Sequence, residues 1–255
     1  MNGEKIDMAE SMRKGIYILP NLFTAGSLFA GFYGIVATTN GNFYSAAIWI
    51  LVSSIFDGLD GKVARLTGTS TKFGVEFDSL ADLVAFGVAP GILMYSWALK
   101  PFGRLGWLAA FLFVVCGALR LARFNVQVNT VESKRFVGLP IPAAASMVSA
   151  TVLLFHRFGW PGSYKKLAIL ILIYLLAFLM VSSFRYYSFK DPELIKRQPF
   201  AFLVLAILLL IIIAAEPVIM LFAVFTAYML SGPLAFLMSY PRRRRLEKAL
   251  RREDN

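Results

Sequence analysis

Residues 57–82 read DGLDGKVARLTGTSTKFGVEFDSLAD, which sets Asp57, Asp60, Asp78 and Asp82 between two apolar runs, AAIWILVSSIF before and LVAFGVAPGILM after. Each run is long enough to carry a helix on into a bilayer, and an ionised side chain at that depth costs a few kcal/mol or more unless it is paired or bound to a metal. Four acids in one short stretch therefore need a common partner. On a helix Asp57 and Asp60 are i and i+3, and Asp78 and Asp82 are i and i+4, so each pair leaves one helix face. TGTST at 67–71 is a polar turn that lets the second helix fold back antiparallel on the first, bringing the two acidic faces together.

Four converging carboxylates suit one or two hard divalent cations, Mg2+ or Mn2+. No cysteine or histidine lies in the stretch, which argues against zinc. Gly58, Gly61, Ala64 and Gly74 leave the inner faces nearly bare of side chain, so a bulky anionic ligand can come close to the backbone. Arg65 adds a permanent guanidinium suited to phosphate. The plainer reading, acids that only pair with bases in a helical hairpin, has just Lys62, Arg65 and Lys72 close at hand.

The remainder of the chain supports a membrane setting. Of its 255 residues 58% are hydrophobic and 16% charged, and the mean hydropathy is +0.67, outside the range of soluble globular domains. The net charge of +11 would suggest nucleic acid in a soluble protein. Here its placement decides otherwise. Of the 26 lysines and arginines, all but Lys100, Arg104, Arg157, Lys165 and Lys166 fall in alternate connecting segments or at the two ends, which is the positive-inside pattern. The single cysteine, Cys116, excludes an intramolecular disulfide and reads as a small buried apolar residue.

The expected architecture is an all-α polytopic bundle of about eight spans, near 16–38, 43–65, 73–99, 105–124, 143–158, 167–184, 200–215 and 217–240, with both termini cytoplasmic. Residues 1–15 form a polar cytoplasmic or interfacial segment, 16–240 the membrane bundle, and 241–255 a basic tail drawn to anionic lipid, all within one domain. Pro20 is expected in the first turns of the first span, where its missing donor does no harm. Asn21 and Thr24 give that helix one polar spot, read either as a cap with a packing threonine or as a contact to a ligand. Arg65 lies eight residues beyond Asp57, about 12 Å along a helix, so the acids should sit just inside the cytoplasmic surface. Arg120 and Arg123, beside Asn125 in ALRLARFN, read on their own as snorkelling anchors. His156 reads as an interfacial residue on the outer side.

The spacing D57-x2-D60-G61-x2-A64-R65-x8-G74-x3-D78-x3-D82 resembles, position for position, the signature of the CDP-alcohol phosphotransferase family. That resemblance implies an integral membrane enzyme that transfers the phosphatidyl group of a CDP-linked lipid to an alcohol and releases CMP. It also implies metal ligation by Asp57, Asp60, Asp78 and Asp82, with Asp82 doubling as the base, two Mg2+ or Mn2+ ions, and a homodimer. Pro20, Asn21, Thr24, Gly61, Ala64, Arg65, Thr71 and Gly74 are then the candidate contacts to the CDP-lipid. ALRLARFN together with F-x-GLPIPAA, at 136–144, is similar to the branch of the family that makes phosphatidylserine. This second resemblance implies CDP-diacylglycerol and L-serine as substrates, with Arg120, Arg123 and Asn125 as candidates for holding serine.

Two other readings remain open at this point. Glycerol 3-phosphate or inositol phosphate as acceptor would bring a further phosphate and ask for more inward basic residues than Arg120, Arg123, Lys134 and Arg135. A cation transporter would want its carboxylates near the bilayer midplane and would have no use for the glycines or for Arg65.

Overall fold

The computed structural model describes residues 2–69, 71–128, 135–159, 162–187 and 215–253. Its helices are α1 (Asn2–Thr39), α2 (Phe43–Thr67), α3 (Lys72–Phe102), α4 (Arg104–Val128), α5 (Ile141–Phe158), α6 (Gly162–Val181) and α7 (Pro217–Glu253). Six of them, α1 to α5 and α7, contain stretches long and apolar enough to cross a membrane, and α6 adds the shorter apolar run Leu167–Val181. The chain is a polytopic helical membrane protein. The span expected near 200–215 lies outside the described residues, its last residue apart.

Three features differ from the expected architecture. A two-stranded antiparallel ribbon, β1 (Arg135–Val137) with β2 (Arg185–Tyr187), ties the α4–α5 connection to the segment after α6, in the register Phe136 opposite Tyr186. Its strands are too short to show as alternation in sequence. The first helix does not open near Pro20 but runs through it from Asn2, giving up the backbone bond a proline cannot make. The last helix does not stop near 240 but carries the basic tail on to Glu253.

Local chemistry sets the acid-bearing hairpin. Asn42 caps α2 by accepting the Ser45 amide at 3.1 Å. Gly68, at φ +63°, closes α2 in a left-handed turn that a side chain would resist. Thr71 then caps α3 by accepting the Gly74 amide at 3.0 Å. α3 is α-helical over Lys72–Asp82 and widens to a π-helical stretch over Leu83–Val88, immediately after Asp82. Pro90 has no amide to return to the preceding turn, and Ala89 bonds back five residues to Val84.

Small residues let the helices approach closely, as bilayer packing demands. A Cβ on Gly31 of α1 would stand 2.5 Å from the Cα of Ala85 in α3. α5 buries Ala144, Ala145, Val148, Ala150 and Val152 at the centre, against a core that includes Ile50, Phe86, Leu93, Phe113 and Ile173. Interhelical hydroxyl contacts, Ser27 with Ser53 at 2.8 Å and Ser54 with Ser146 at 3.4 Å, add roughly 0.6 kcal/mol each. Phe29, Phe32, Leu105, Phe111 and Leu119 are exposed, as lipid-facing side chains should be.

Candidate active site

The hairpin of α2 and α3 brings the two acid pairs together. Ligand-capable oxygens of Asp57, Asp60 and Asp78 lie within 4.8 Å of one another. Asp82 stands beside Asp57. It is buried, and its Oδ1 has no hydrogen-bond partner. A buried carboxylate oxygen without a donor is costly. Among the described residues no ion pair shorter than 4.0 Å joins a cation to any of the four. The donor set is all oxygen, with an unsatisfied oxygen at its edge, and it fits a hard divalent cation.

The first helix supports this cluster from the side. The hydroxyl of Thr24 donates to Oδ2 of Asp60 at 2.8 Å, and Asp60 is buried. Pro20 is buried beside it, its carbonyl 3.2 Å from the same hydroxyl. Asn21 reaches the start of α3, where its Oδ1 would lie 3.3 Å from a Cβ on Gly74. The cap reading of Asn21 falls, because α1 runs through this point from Asn2, while Thr24 does pack, against Asp60. A Cβ on Gly74 would also stand 3.1 Å from Thr71 Oγ1, so this glycine is crowded and does not leave open space as Gly58 and Gly61 do.

The other side of the cluster is open. A Cβ on Gly58 or on Gly61 would meet nothing within 4 Å. Ala64 is half-buried, while Lys62 and Arg65 are exposed at the end of α2. An anionic ligand reaching the carboxylates from this side would pass bare backbone first and Arg65 at the rim.

The two arginines of α4 part company. Arg120 is buried with its Nε unpartnered, within electrostatic range of Asp82, Asp57 and Tyr228. Arg123 is exposed and donates to the carbonyl of Val181, at the end of α6, at 3.4 Å. Asn125 donates to Ser79 Oγ at 2.9 Å, which fastens α4 to α3 between Asp78 and Asp82. Tyr228, on α7, is a neighbour of Arg120 that the motifs did not point to. His156 packs against Tyr44 at a tilt, ring centroids 4.7 Å apart, near the other end of α2 from the acids.

A CDP-alcohol phosphatidyltransferase family model matches residues 17–181, which hold every one of these groups except Tyr228. The chain belongs to that family. It is therefore a multi-pass membrane transferase of phospholipid synthesis, and the family is generally dependent on divalent metal, in keeping with the acidic cluster. The chain is 49% identical over 179 residues, 70% of its length and 75% of the relative's, to a CDP-diacylglycerol–serine O-phosphatidyltransferase of Helicobacter pylori. It is 40% identical over 170 residues, 66% of its length and 69% of the relative's, to an archaetidylserine synthase of Methanothermobacter thermautotrophicus. A CDP-diacylglycerol–serine O-phosphatidyltransferase of Bacillus subtilis is 34% identical over 172 residues, 68% of this chain and 91% of the relative.

Proposed function

We propose that this chain transfers the phosphatidyl group of CDP-diacylglycerol to the hydroxyl of L-serine, releasing CMP. The observation that supports the reading most is the buried Arg120 guanidinium beside the four-aspartate cluster, in a chain similar to relatives whose names share serine as acceptor. A guanidinium facing the acids suits a small acceptor that carries its own carboxylate. Acceptors with an additional phosphate would call for more basic groups at that place. Arg123, bonded to Val181, is the weaker candidate for the same task. Asn125 holds α4 in register with the acids and stands beside the acceptor's path.

Asp57, Asp60, Asp78 and Asp82 would hold two divalent ions, Mg2+ or Mn2+. Bound there, the ions supply charge neutralisation for the pyrophosphate and for the departing CMP. The protein's own groups do the rest. The bare backbone at Gly58 and Gly61 admits the nucleotide end of the donor, with Ala64 and Arg65 along its path. Pro20, Asn21, Thr24, Thr71 and Gly74 brace the same hairpin at the ends that meet the donor. Arg120 takes the serine carboxylate and turns the hydroxyl toward the phosphorus. Asp82 accepts the hydroxyl proton as the serine oxygen bonds to the phosphorus bearing diacylglycerol, and the bond from that phosphorus to CMP breaks.

In this reading both termini and the acid cluster lie on the cytoplasmic side of the cell membrane, a placement the distribution of lysine and arginine supports, with eight spans in one membrane domain and, as the family resemblance implies, two copies in a homodimer. The deciding experiment is an acceptor panel. Purified protein with CDP-diacylglycerol and Mn2+ or Mg2+ is offered L-serine, glycerol 3-phosphate or inositol phosphate, and CMP release is followed. Release that depends on serine supports the reading. Release driven by either phosphorylated acceptor and not by serine sinks it.

A further inference from the structure

The acid-bearing start of α3 is packed more lightly than the rest of that helix. Over Lys72–Asp82 only Ala81 and Asp82 are buried, while Lys72, Phe73, Val75, Glu76 and Leu80 are exposed. Farther along, Ala85, Phe86, Ala89 and Leu93 are fully buried, and the backbone of Ala85 lies tight against Gly31 of α1. Between the two parts runs the π-helical stretch Leu83–Val88. A widened turn takes up an extra residue and breaks the angular phase of the helix, so the bearing of Asp78 and Asp82 does not follow from the packing below them. Another contact has to set it.

Ser79 supplies that contact. Its hydroxyl donates to the carbonyl of Val75 at 3.0 Å, and its oxygen accepts from Nδ2 of Asn125, near the end of α4, at 2.9 Å. At about 3.6 residues per turn Ser79 stands roughly 100° round the helix from Asp78 and roughly 60° from Asp82, so a bond at its bearing resists rotation of both acids. The bond to Val75 alone would satisfy the hydroxyl, and alanine would suit the helix better. Helix formation therefore does not ask for a serine here. A tie to a neighbouring helix does.

We infer that Ser79 and Asn125 are a positioning pair that sets the rotation of α3, so that Asp78 and Asp82 face Asp57 and Asp60 and the cluster takes its divalent ion with full affinity. This rests on the reading of the four aspartates as metal ligands. It gives Asn125 a task toward the ion, through Ser79, in place of a contact to serine. Neither residue touches the reacting atoms. Their effect should appear in metal binding and leave the acceptor alone.

The test uses the full-length protein in detergent and reads Mn2+ binding directly, without donor or acceptor, from the loss of the paramagnetic resonance signal of free Mn2+. Ser79→Ala and Asn125→Ala should each raise the Kd for Mn2+ about tenfold, the low end for losing a partner that orients a metal ligand. The two together should add less than about twofold to either alone, since both remove one bond. Ser79→Thr keeps the hydroxyl and should bind Mn2+ as the wild type does. With CDP-diacylglycerol present and Mn2+ raised to saturation, the serine KM of each alanine variant should stay within about twofold of wild type. A Kd that rises in Asp78→Asn and stays put in Ser79→Ala and Asn125→Ala overturns the positioning pair and leaves the metal site in place. An unchanged Kd in both Asp57→Asn and Asp78→Asn removes the metal reading, and the pair with it. A serine KM raised in Asn125→Ala and not in Ser79→Ala would put Asn125 on the acceptor and overturn the inference. A lowered melting temperature with the Mn2+ Kd unmoved would mark the pair as structural and overturn it too.

Discussion

Thr24 donates its hydroxyl to Asp60 across 2.8 Å and joins α1 to the acid-bearing helix α2. Both residues are buried, so the bond is not shared with bulk water, and it fixes which Asp60 oxygen stays free for other partners.

Removing that hydroxyl while keeping the shape should loosen metal binding. Thr24→Val is expected to raise the Mn2+ or Mg2+ concentration for half-maximal CMP release by about tenfold, the low end of the cost of losing an outer-shell partner. Thr24→Ser should restore it. Activity titrated against metal is the measurement, and equal half-saturation in wild type and Thr24→Val would mean that Asp60 needs no help in facing the ion.

Asp82 combines burial, an unpartnered oxygen and the neighbouring Asp57. Asp82→Asn should fold and bind CDP-lipid while kcat for CMP release falls by about 10²–10⁴, the usual worth of a general base. Turnover near the wild-type rate would remove the base assignment. A chelator should stop the unmodified protein, and added Mn2+ or Mg2+ should restart it.

How far the chain can be read without coordinates depends on whether a contact is local. The acid pairs and TGTST are close in sequence, and simple helical spacing was enough to bring Asp57, Asp60 and Asp78 together. Asn21 and Thr24 were visible as a polar spot, yet only the packing of α1 tells that one meets Asp60 and the other Gly74. Arg120 and Arg123 look like one cluster at i and i+3. Their long side chains leave for different neighbours, and nothing in the period says which. The ribbon and the Tyr186–Met229 bond join segments far apart in sequence. Pro233 does announce an unpaired carbonyl, but it does not name the donor.

Two glycines should separate space kept for packing from space kept for substrate. Gly31→Ala forces a methyl against the Ala85 backbone, at the start of the π-helical stretch that follows Asp82, and should cost about 1–3 kcal/mol of stability. Gly61→Ala meets nothing within 4 Å and should melt no lower than wild type, since alanine also suits a helix better. It should still lose at least about tenfold in kcat/KM for CDP-diacylglycerol, because the added methyl projects from the open face of the cluster. Full activity in Gly61→Ala would mean that the donor does not approach from that side.

The orientation of the bundle can be checked with the chain's own scarcity of thiols. Cys116 is the single cysteine and is buried, so Cys116→Ala should give a silent background. Asn40 and Lys72 are both exposed, one in the uncharged turn after α1 and the other at the start of α3 beside the acid cluster. With α2 spanning the bilayer between them, they must lie on opposite sides. Positive charge drawn to the cytoplasmic face puts Lys72 inside. In sealed right-side-out vesicles a membrane-impermeant maleimide should label Asn40→Cys at once and Lys72→Cys only after the vesicles are opened. The reverse order would turn the active site outward, away from a cytoplasmic supply of serine, and labelling of both in sealed vesicles would mean that α2 does not span.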